Sequence, residues 1–253
     1  MTIAVETQSD PLREARFGLP AGYQSNLRGP RSTLSDYWNP IRVRESRRFQ
    51  HHVYRWAADL VARYRLQRVV DVGCGSGWKL MHHLGPTGAT LTGMDTPQAI
   101  AVARDLGVSA NLVEIDLEAP SQSDVPRADL LICADVIEHL VDPDPAVEFM
   151  RCAAGVRGWI LISTPERCRL RGRGTVVCGK PDHVREWSRR ELLAYLRSRG
   201  LRVVQSRLVP QDDAPIGRRL ARECLFRARL AERSPLACHA VLCRSAAKTA
   251  RGA

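Results

Sequence analysis

The chain has 253 residues, 44% hydrophobic and 26% charged, which excludes a disordered or fibrous polypeptide and leaves room for one α/β domain with a buried core. The formal net charge is +11. No run reaches the ~18 apolar residues that a bilayer span needs. The N-terminal segment lacks the basic stretch and apolar core of a secretory signal, so the expected location is the cytoplasm.

Residues 1–45 are rich in Pro, Gly, Ser and Asn without a sustained period, notably at 22–26 and 34–40. They read as an N-terminal arm or lid with little regular structure. Over 46–65, Val53, Trp56, Ala57, Leu60, Val61 and Tyr64 recur at helical spacing. Strands and helices then alternate. A β-branched strand is predicted at 68–72, a helix start at 78–84, a strand at 89–94 ending on Asp95, and a helix at 97–106 with Pro97 in its first turn. Strands at 111–115 and 128–134, a helix at 145–154 and a strand at 158–163 follow. This alternation specifies right-handed βαβ units and a parallel sheet with helices on both faces. After a long loop, Ser188 caps a helix, Glu191 completes a capping box, and Leu192, Leu193 and Leu196 form its buried stripe before Gly200 ends it. A strand at 201–208, a helix at 216–232 and a strand near 237–243 complete a domain over 46–245, with 246–253 as a tail.

The basic charge is almost all arginine, since Lys79, Lys180 and Lys248 are the only lysines. It concentrates in 167–190 and 218–233, whereas 91–150 holds twelve acidic residues against two arginines. A solvated basic face is the first reading and a nucleic-acid surface the second. Cysteines fall in predicted strands (Cys133, Cys243) and helices (Cys152, Cys224), without a CxxC pair, and are expected as thiols. Cys168, Cys178 and His183 fit no common zinc spacing.

The segment Val69-Val70-Asp71-Val72-Gly73-Cys74-Gly75-Ser76-Gly77 is a strand entering a glycine loop and a helix. Gly73 and Gly75 let backbone N–H groups approach a ligand closely. A purely structural turn and a dinucleotide site are open at this point, although dehydrogenases space their glycines GxGxxG and here the spacing is GxGxG. Asp95 at the end of the second strand can accept both ribose hydroxyls of an adenosine. Asp116 after the third strand can reach an adenine amino group, and Asp135 ends the fourth. A series of carboxylates at strand ends suits a cationic sulfonium better than a pyrophosphate.

Residues 70–77 resemble the first motif of class I S-adenosylmethionine-dependent methyltransferases, 91–96 their acidic second-strand end and 113–116 their adenine-side motif. Ala134-Asp135-Val136-Ile137-Glu138-His139-Leu140 and Asp182-His183-Val184-Arg185-Glu186-Trp187-Ser188 resemble the ubiquinone-biosynthesis and small-molecule O-methyltransferase branch. The resemblance covers roughly 68–209. It implies a Rossmann-like, seven-stranded, mostly parallel sheet with an antiparallel last strand. It implies S-adenosylmethionine as cofactor and S-adenosylhomocysteine as product, held by Asp71, Gly73, Cys74, Gly75, Gly77, Asp95, Thr96, Asp116, Leu117 and Asp135.

The expected reaction is methyl transfer to a small-molecule acceptor, first of all O-methylation in specialised metabolism. The alternatives are N- or C-methylation, a tRNA or rRNA substrate met by the arginine-rich surface, and a regulatory protein whose methyl site is dead. His139 is the leading general base, since an unperturbed imidazole pKa near about 6.5 suits proton removal; a histidine that only bonds a loop carbonyl is the equal alternative. His183 is second, with Trp187 as a wall of the acceptor side; a loop-ordering role is its alternative. His51 and His52 read as a solvated helix face or a cap on the acceptor pocket, and His82 and His83 as structural. No metal is assigned: Asp135, Glu138 and His139 could form a divalent site, but one carboxylate–histidine pair is thin support. Monomer and homodimer both stand.

Overall fold

The computed structural model describes residues 14–27, 37–121 and 126–246. The expectations for 1–13, 28–36 and 247–253 fall outside the described residues. The elements are α1 (Pro40–Ser46), α2 (His51–Tyr64), β1 (Arg68–Val72), β2 (Thr90–Asp95), α3 (Pro97–Asp105), β3 (Asn111–Glu114), β4 (Leu130–Ala134), α4 (Asp144–Ala154), β5 (Trp159–Pro165), α5 (Arg167–Arg171), α6 (Arg189–Ser198), β6 (Leu201–Val209), α7 (Ile216–Arg227) and β7 (Cys238–Ser245).

The seven strands form one sheet in the order β3-β2-β1-β4-β5-β7-β6. Pairs from β3 to β5 are parallel, and β7 runs antiparallel to both β5 and β6. β4 and β5 are buried along their whole length, so their residues read as continuous apolar runs. Alternate side chains serve opposite faces. Leu131, Cys133, Ile160 and Ile162 join one core with α4 and α6, while Leu130, Ile132, Trp159 and Leu161 join a second with α2. All eight cysteines are free thiols, and among the described residues no helix is long and apolar enough to cross a membrane.

Several elements differ from expectation. The helix expected from residue 46 begins only at His51, after Gln50 takes a left-handed φ of 67°, and a separate helix, α1, precedes it at Pro40–Ser46. The helix after the glycine loop is a π-helical turn, Leu80–Leu84, followed by a 3-10 turn, Gly85–Thr87. The helix expected to reach 232 ends at Arg227, ahead of the left-handed Arg229.

The stretch read as loosely structured also carries more order than its composition signals. Asn39 caps α1 by accepting from Arg42 N, with Pro40 in the first turn. Phe17 and Tyr23 sit inside the first core. Trp187 Nε1 donates to Phe17 O at 2.9 Å, and Glu186 N donates to the Tyr23 hydroxyl at 2.8 Å.

Candidate active site

The glycine loop is shaped by close approach. Gly73 N and Cys74 N both donate to Met94 O, at 2.7 and 3.1 Å, folding the loop back over the end of β2. Gly73 has φ 79° and Gly75 φ 57°. A Cβ on Gly73 would lie 2.2 Å from Val136 Cγ2, and one on Gly75 would lie 2.6 Å from the Trp38 ring. Only glycine meets both demands. The Asp95 carboxylate clamps the same loop, accepting from Gly75 N and Thr96 N at 2.7 Å each. Burial pushes Asp95 above the usual carboxylate range, against the pull of those N–H groups.

A cavity of about 520 Å³ opens at the carboxyl ends of the parallel strands, as expected for an open α/β sheet. Gly73, Cys74, Gly75, Asp95, Thr96, Asp116, Leu117 and Asp135 line it, together with His139 and His183. Asp71 and Gly77 are not among its walls. Asp71 lies fully buried behind the loop, where its Oδ2 accepts from the Tyr54 hydroxyl at 2.8 Å. Burial pushes the Asp71 carboxyl up to about 7 even with Lys79 nearby.

Asp135 takes a left-handed φ of 55° just after β4 and donates its N–H to Ser163 O at 3.0 Å. This turns its side chain toward the cavity, and its Oδ1 is buried without a hydrogen-bond partner. A 3-10 turn, Ile137–His139, follows. Val184 N donates to Glu138 O at 2.7 Å, and Arg185 sends its guanidinium to Leu140 O and Val141 O at 2.7 and 2.9 Å. The segment after β4 is thereby fixed to the segment before α6.

The two histidines meet inside that contact. His139 Nδ1 lies 2.7 Å from Asp182 O, and His183 Nδ1 lies 3.0 Å from Glu186 Oε1. Both oxygens are acceptors, so each Nδ1 carries the hydrogen and each Nε2 keeps its lone pair. Burial, with the charges of His183 and Lys180, pushes His139 well below the usual imidazole range. Burial also lowers His183, against the pull of Glu186. Glu138 is fully buried, and neither carboxylate oxygen has a hydrogen-bond partner. One donor atom each from Glu138, His139 and His183 lies within 4.8 Å of the others, a donor set that suits a divalent cation.

Other expectations separate from the cavity. Trp187, expected as an acceptor-side wall, is fully buried and stacks on Tyr195, so it is a core residue. Cys178 donates its thiol to Lys180 O and His183 O, at 3.7 and 3.2 Å, which leaves no zinc set with Cys168. His51 lies behind the wall, with Nδ1 3.0 Å from His83 Nε2 and Nε2 2.6 Å from Arg47 O. His52 pairs with Arg219.

The walls that sequence reasoning missed are Tyr37, Trp38 and Arg42 of the arm, Arg47 and Phe49 just after it, and Trp78, Lys79 and Lys180. The Asn39-Pro40 helix start was the readable signal for them. Lys79 donates to Ser46 O at 3.3 Å and Arg42 pairs with Asp182 at 3.5 Å, so α1 is tied both to the turn after the glycine loop and to the loop before α6.

The sequence profile of the methyltransferase domain matches residues 49–206. The chain is 31% identical over 119 residues to the ubiquinone biosynthesis O-methyltransferase of Bordetella avium (strain 197N), covering 44% of this chain and 48% of that protein. It is 31% identical over 173 residues to the enzyme of the same name from Paracidovorax citrulli (strain AAC00-1), covering 61% and 71%. The chain spans about half the length of the first of these relatives. Among solved structures, it matches a chain of the Haloferax volcanii complex between the Trm112 methyltransferase activator and a methyltransferase. That match has a TM-score of 0.63 at 15% identity, over 85% of this chain and 98% of that one. The plantazolicin methyltransferase BpumL, solved with a triazolic desmethylPZN analog and SAH, matches with a TM-score of 0.56 at 18% identity, over 85% and 96%. At these identities the structural likeness is one of fold. Profile, sheet order and glycine loop agree: the chain belongs to the methyltransferase-domain family, in the class I S-adenosylmethionine-dependent group.

Proposed function

We propose that the chain moves the methyl group of S-adenosylmethionine to an oxygen of a small-molecule acceptor in the cytoplasm, with His139 as general base. The observation that carries this reading is one cavity in which the glycine loop and its strand-end carboxylates share walls with His139 and His183. When bound, the cofactor supplies an electrophilic methyl group on a good leaving group. The chain's task is then to align an acceptor and take its proton. In this reading Asp95 holds the ribose, Asp116 the adenine edge, and the backbone of 73–75 with Thr96, Leu117 and Asp135 frames the remainder. Asp71 and Gly77 act from behind the loop. His139 is neutral at physiological pH and offers Nε2 to the acceptor hydroxyl. The relatives' names favour oxygen as the acceptor atom. The free thiols agree with a reducing compartment.

A second reading of the deprotonation is favoured by Glu138. Its two unpartnered oxygens, with the Nε2 atoms of His139 and His183, would hold a divalent cation that acidifies the acceptor hydroxyl directly.

Label transfer from methyl-labelled S-adenosylmethionine to a panel of small phenols and hydroxy acids, beside bulk tRNA and with or without a chelator, tests the proposal. Label in a small acceptor that survives the chelator supports the base reading. Loss on chelation with recovery on adding Mg²⁺ or Mn²⁺ supports the cation reading. Label in tRNA alone overturns the small-molecule assignment.

A further inference from the structure

We propose that α7 seats the protein on an anionic membrane surface, lying in the headgroup layer with its aliphatic face toward lipid. The helix is inverted relative to an ordinary surface helix. Glu223 is its only buried residue. That carboxylate is held by Arg169 at 3.0 Å, Ser234 Oγ at 2.6 Å and Arg227 Nε at 3.0 Å. Arg219 reaches His52 at 2.7 Å, and Phe226 lies under the Arg169 guanidinium. Polar contacts therefore hold α7 to the body.

The face turned outward is apolar. Leu220, Ala221, Cys224, Leu225 and Ala228 share it at helical spacing, and all are exposed. Ile216, Leu220, Leu225 and Leu230 are 69%, 61%, 45% and 76% exposed. They are four of the ten exposed large hydrophobics among the described residues, gathered in one short stretch. A concentrated aliphatic patch of this kind marks an interaction site.

Charge identifies the partner. Arg218 and Arg222 border the aliphatic stripe on one side and Arg227 on the other, with Arg229 and Arg233 just beyond. Arg218, Arg222, Arg229 and Arg233 make no ion pair among the described residues. An aliphatic stripe between cationic rims on a chain of net charge +11 fits anionic headgroups above acyl chains. A nucleic acid would use the arginines but not the leucines, and the face offers no exposed aromatic ring for a base to stack on. The approach to α7 also touches the cavity, since Asp212 bridges Phe49, one of its walls.

The test is cosedimentation of the full chain with vesicles of phosphatidylcholine alone or mixed in equal parts with phosphatidylglycerol. The mixed vesicles should retain the protein and the neutral ones should not. Leu220→Glu/Leu225→Glu and Arg218→Glu/Arg222→Glu should each weaken retention at least about tenfold. Both substitutions sit on exposed positions, so melting curves and S-adenosylhomocysteine affinity should match wild type. Three results would overturn the proposal. One is equal retention of Leu220→Glu/Leu225→Glu and wild type, or no retention on either vesicle. Another is binding of bulk tRNA that tracks the arginines alone without vesicle binding. The last is a dimer by light scattering that Leu220→Glu/Leu225→Glu dissociates, again without vesicle binding.

Discussion

The rings of His139 and His183 meet edge to face with centroids 4.8 Å apart, one contributed by the turn after β4 and the other by the loop before α6. Each has its Nδ1 committed to an oxygen, which leaves the Nε2 lone pairs of two cavity-lining rings for other chemistry. His139→Ala should lower methyl-transfer turnover about 10²–10⁴-fold while S-adenosylhomocysteine affinity stays near wild type. Label transfer paired with calorimetry reads both quantities. Full turnover in the variant would remove His139 from the reaction.

Glu138 separates stability from activity. Its oxygens are buried, and glutamine keeps the side chain's shape and an acceptor oxygen toward Thr164. Glu138→Gln should therefore leave the stability within about 1 kcal/mol of wild type, and in the cation reading methyl transfer falls while in the base reading it does not. Thermal denaturation beside the turnover assay checks this. A large loss of stability would show that the carboxylate is a structural anchor.

Arg185 is the fastener between arm and site. It is fully buried, pairs with Glu14 at 3.2 Å and lies 4.2 Å over the Phe17 ring, besides holding Leu140 O and Val141 O. Arg185→Met leaves a buried carboxylate and two carbonyls without their donor. It should cost about 3–5 kcal/mol, read as a lower urea midpoint at unchanged slope. Glu14→Gln in the same chain should recover part of that loss.

His239 sets the acid limb of stability. Burial, with the Arg189 charge behind it, lowers its pKa from 6.5 to about 4. The unfolded chain thus binds more protons between those values, and stability present above the unfolded pKa is lost as pH falls toward the folded one. The shift corresponds to about 3 kcal/mol. Ser206 Oγ is the ring's sole hydrogen-bond partner among the described residues, and Nδ1 has none. Urea midpoints of wild type and His239→Leu near neutrality and near about pH 4 should show the variant losing less by that order. Parallel losses would assign the acid limb to other groups.

The legible parts of the molecule rest on local chemistry. The Ser188–Glu191 capping box forms as its spacing dictates, the strands of the sheet follow their periods, and β7 is antiparallel as the family resemblance implies. The glycine loop was legible because its backbone demand is local. Contacts between distant segments were not. Nothing near Gly75 signals that the Trp38 ring rests against it, and nothing near Trp187 signals that Phe17 takes its indole hydrogen bond and draws it into the core. The arm's polar composition hid Phe17, Tyr23 and α1, because three apolar side chains, Phe17, Leu19 and Tyr23, with Glu14 paired to Arg185, are enough to dock a segment of otherwise polar composition. Nothing in the sequence of α7 says which of its faces points inward, and a single buried carboxylate, Glu223, sets it.

Calorimetric titration of S-adenosylhomocysteine into the wild-type chain and Gly75→Asp tests the cofactor site most directly, with melting curves confirming that the variant folds. Wild type should bind and Gly75→Asp should not, because a side chain there meets the Trp38 ring at 2.6 Å and sets a second carboxylate beside Asp95. No heat from the wild type, or equal affinity in a folded variant, would contradict the assignment of the loop as the methyl-donor site.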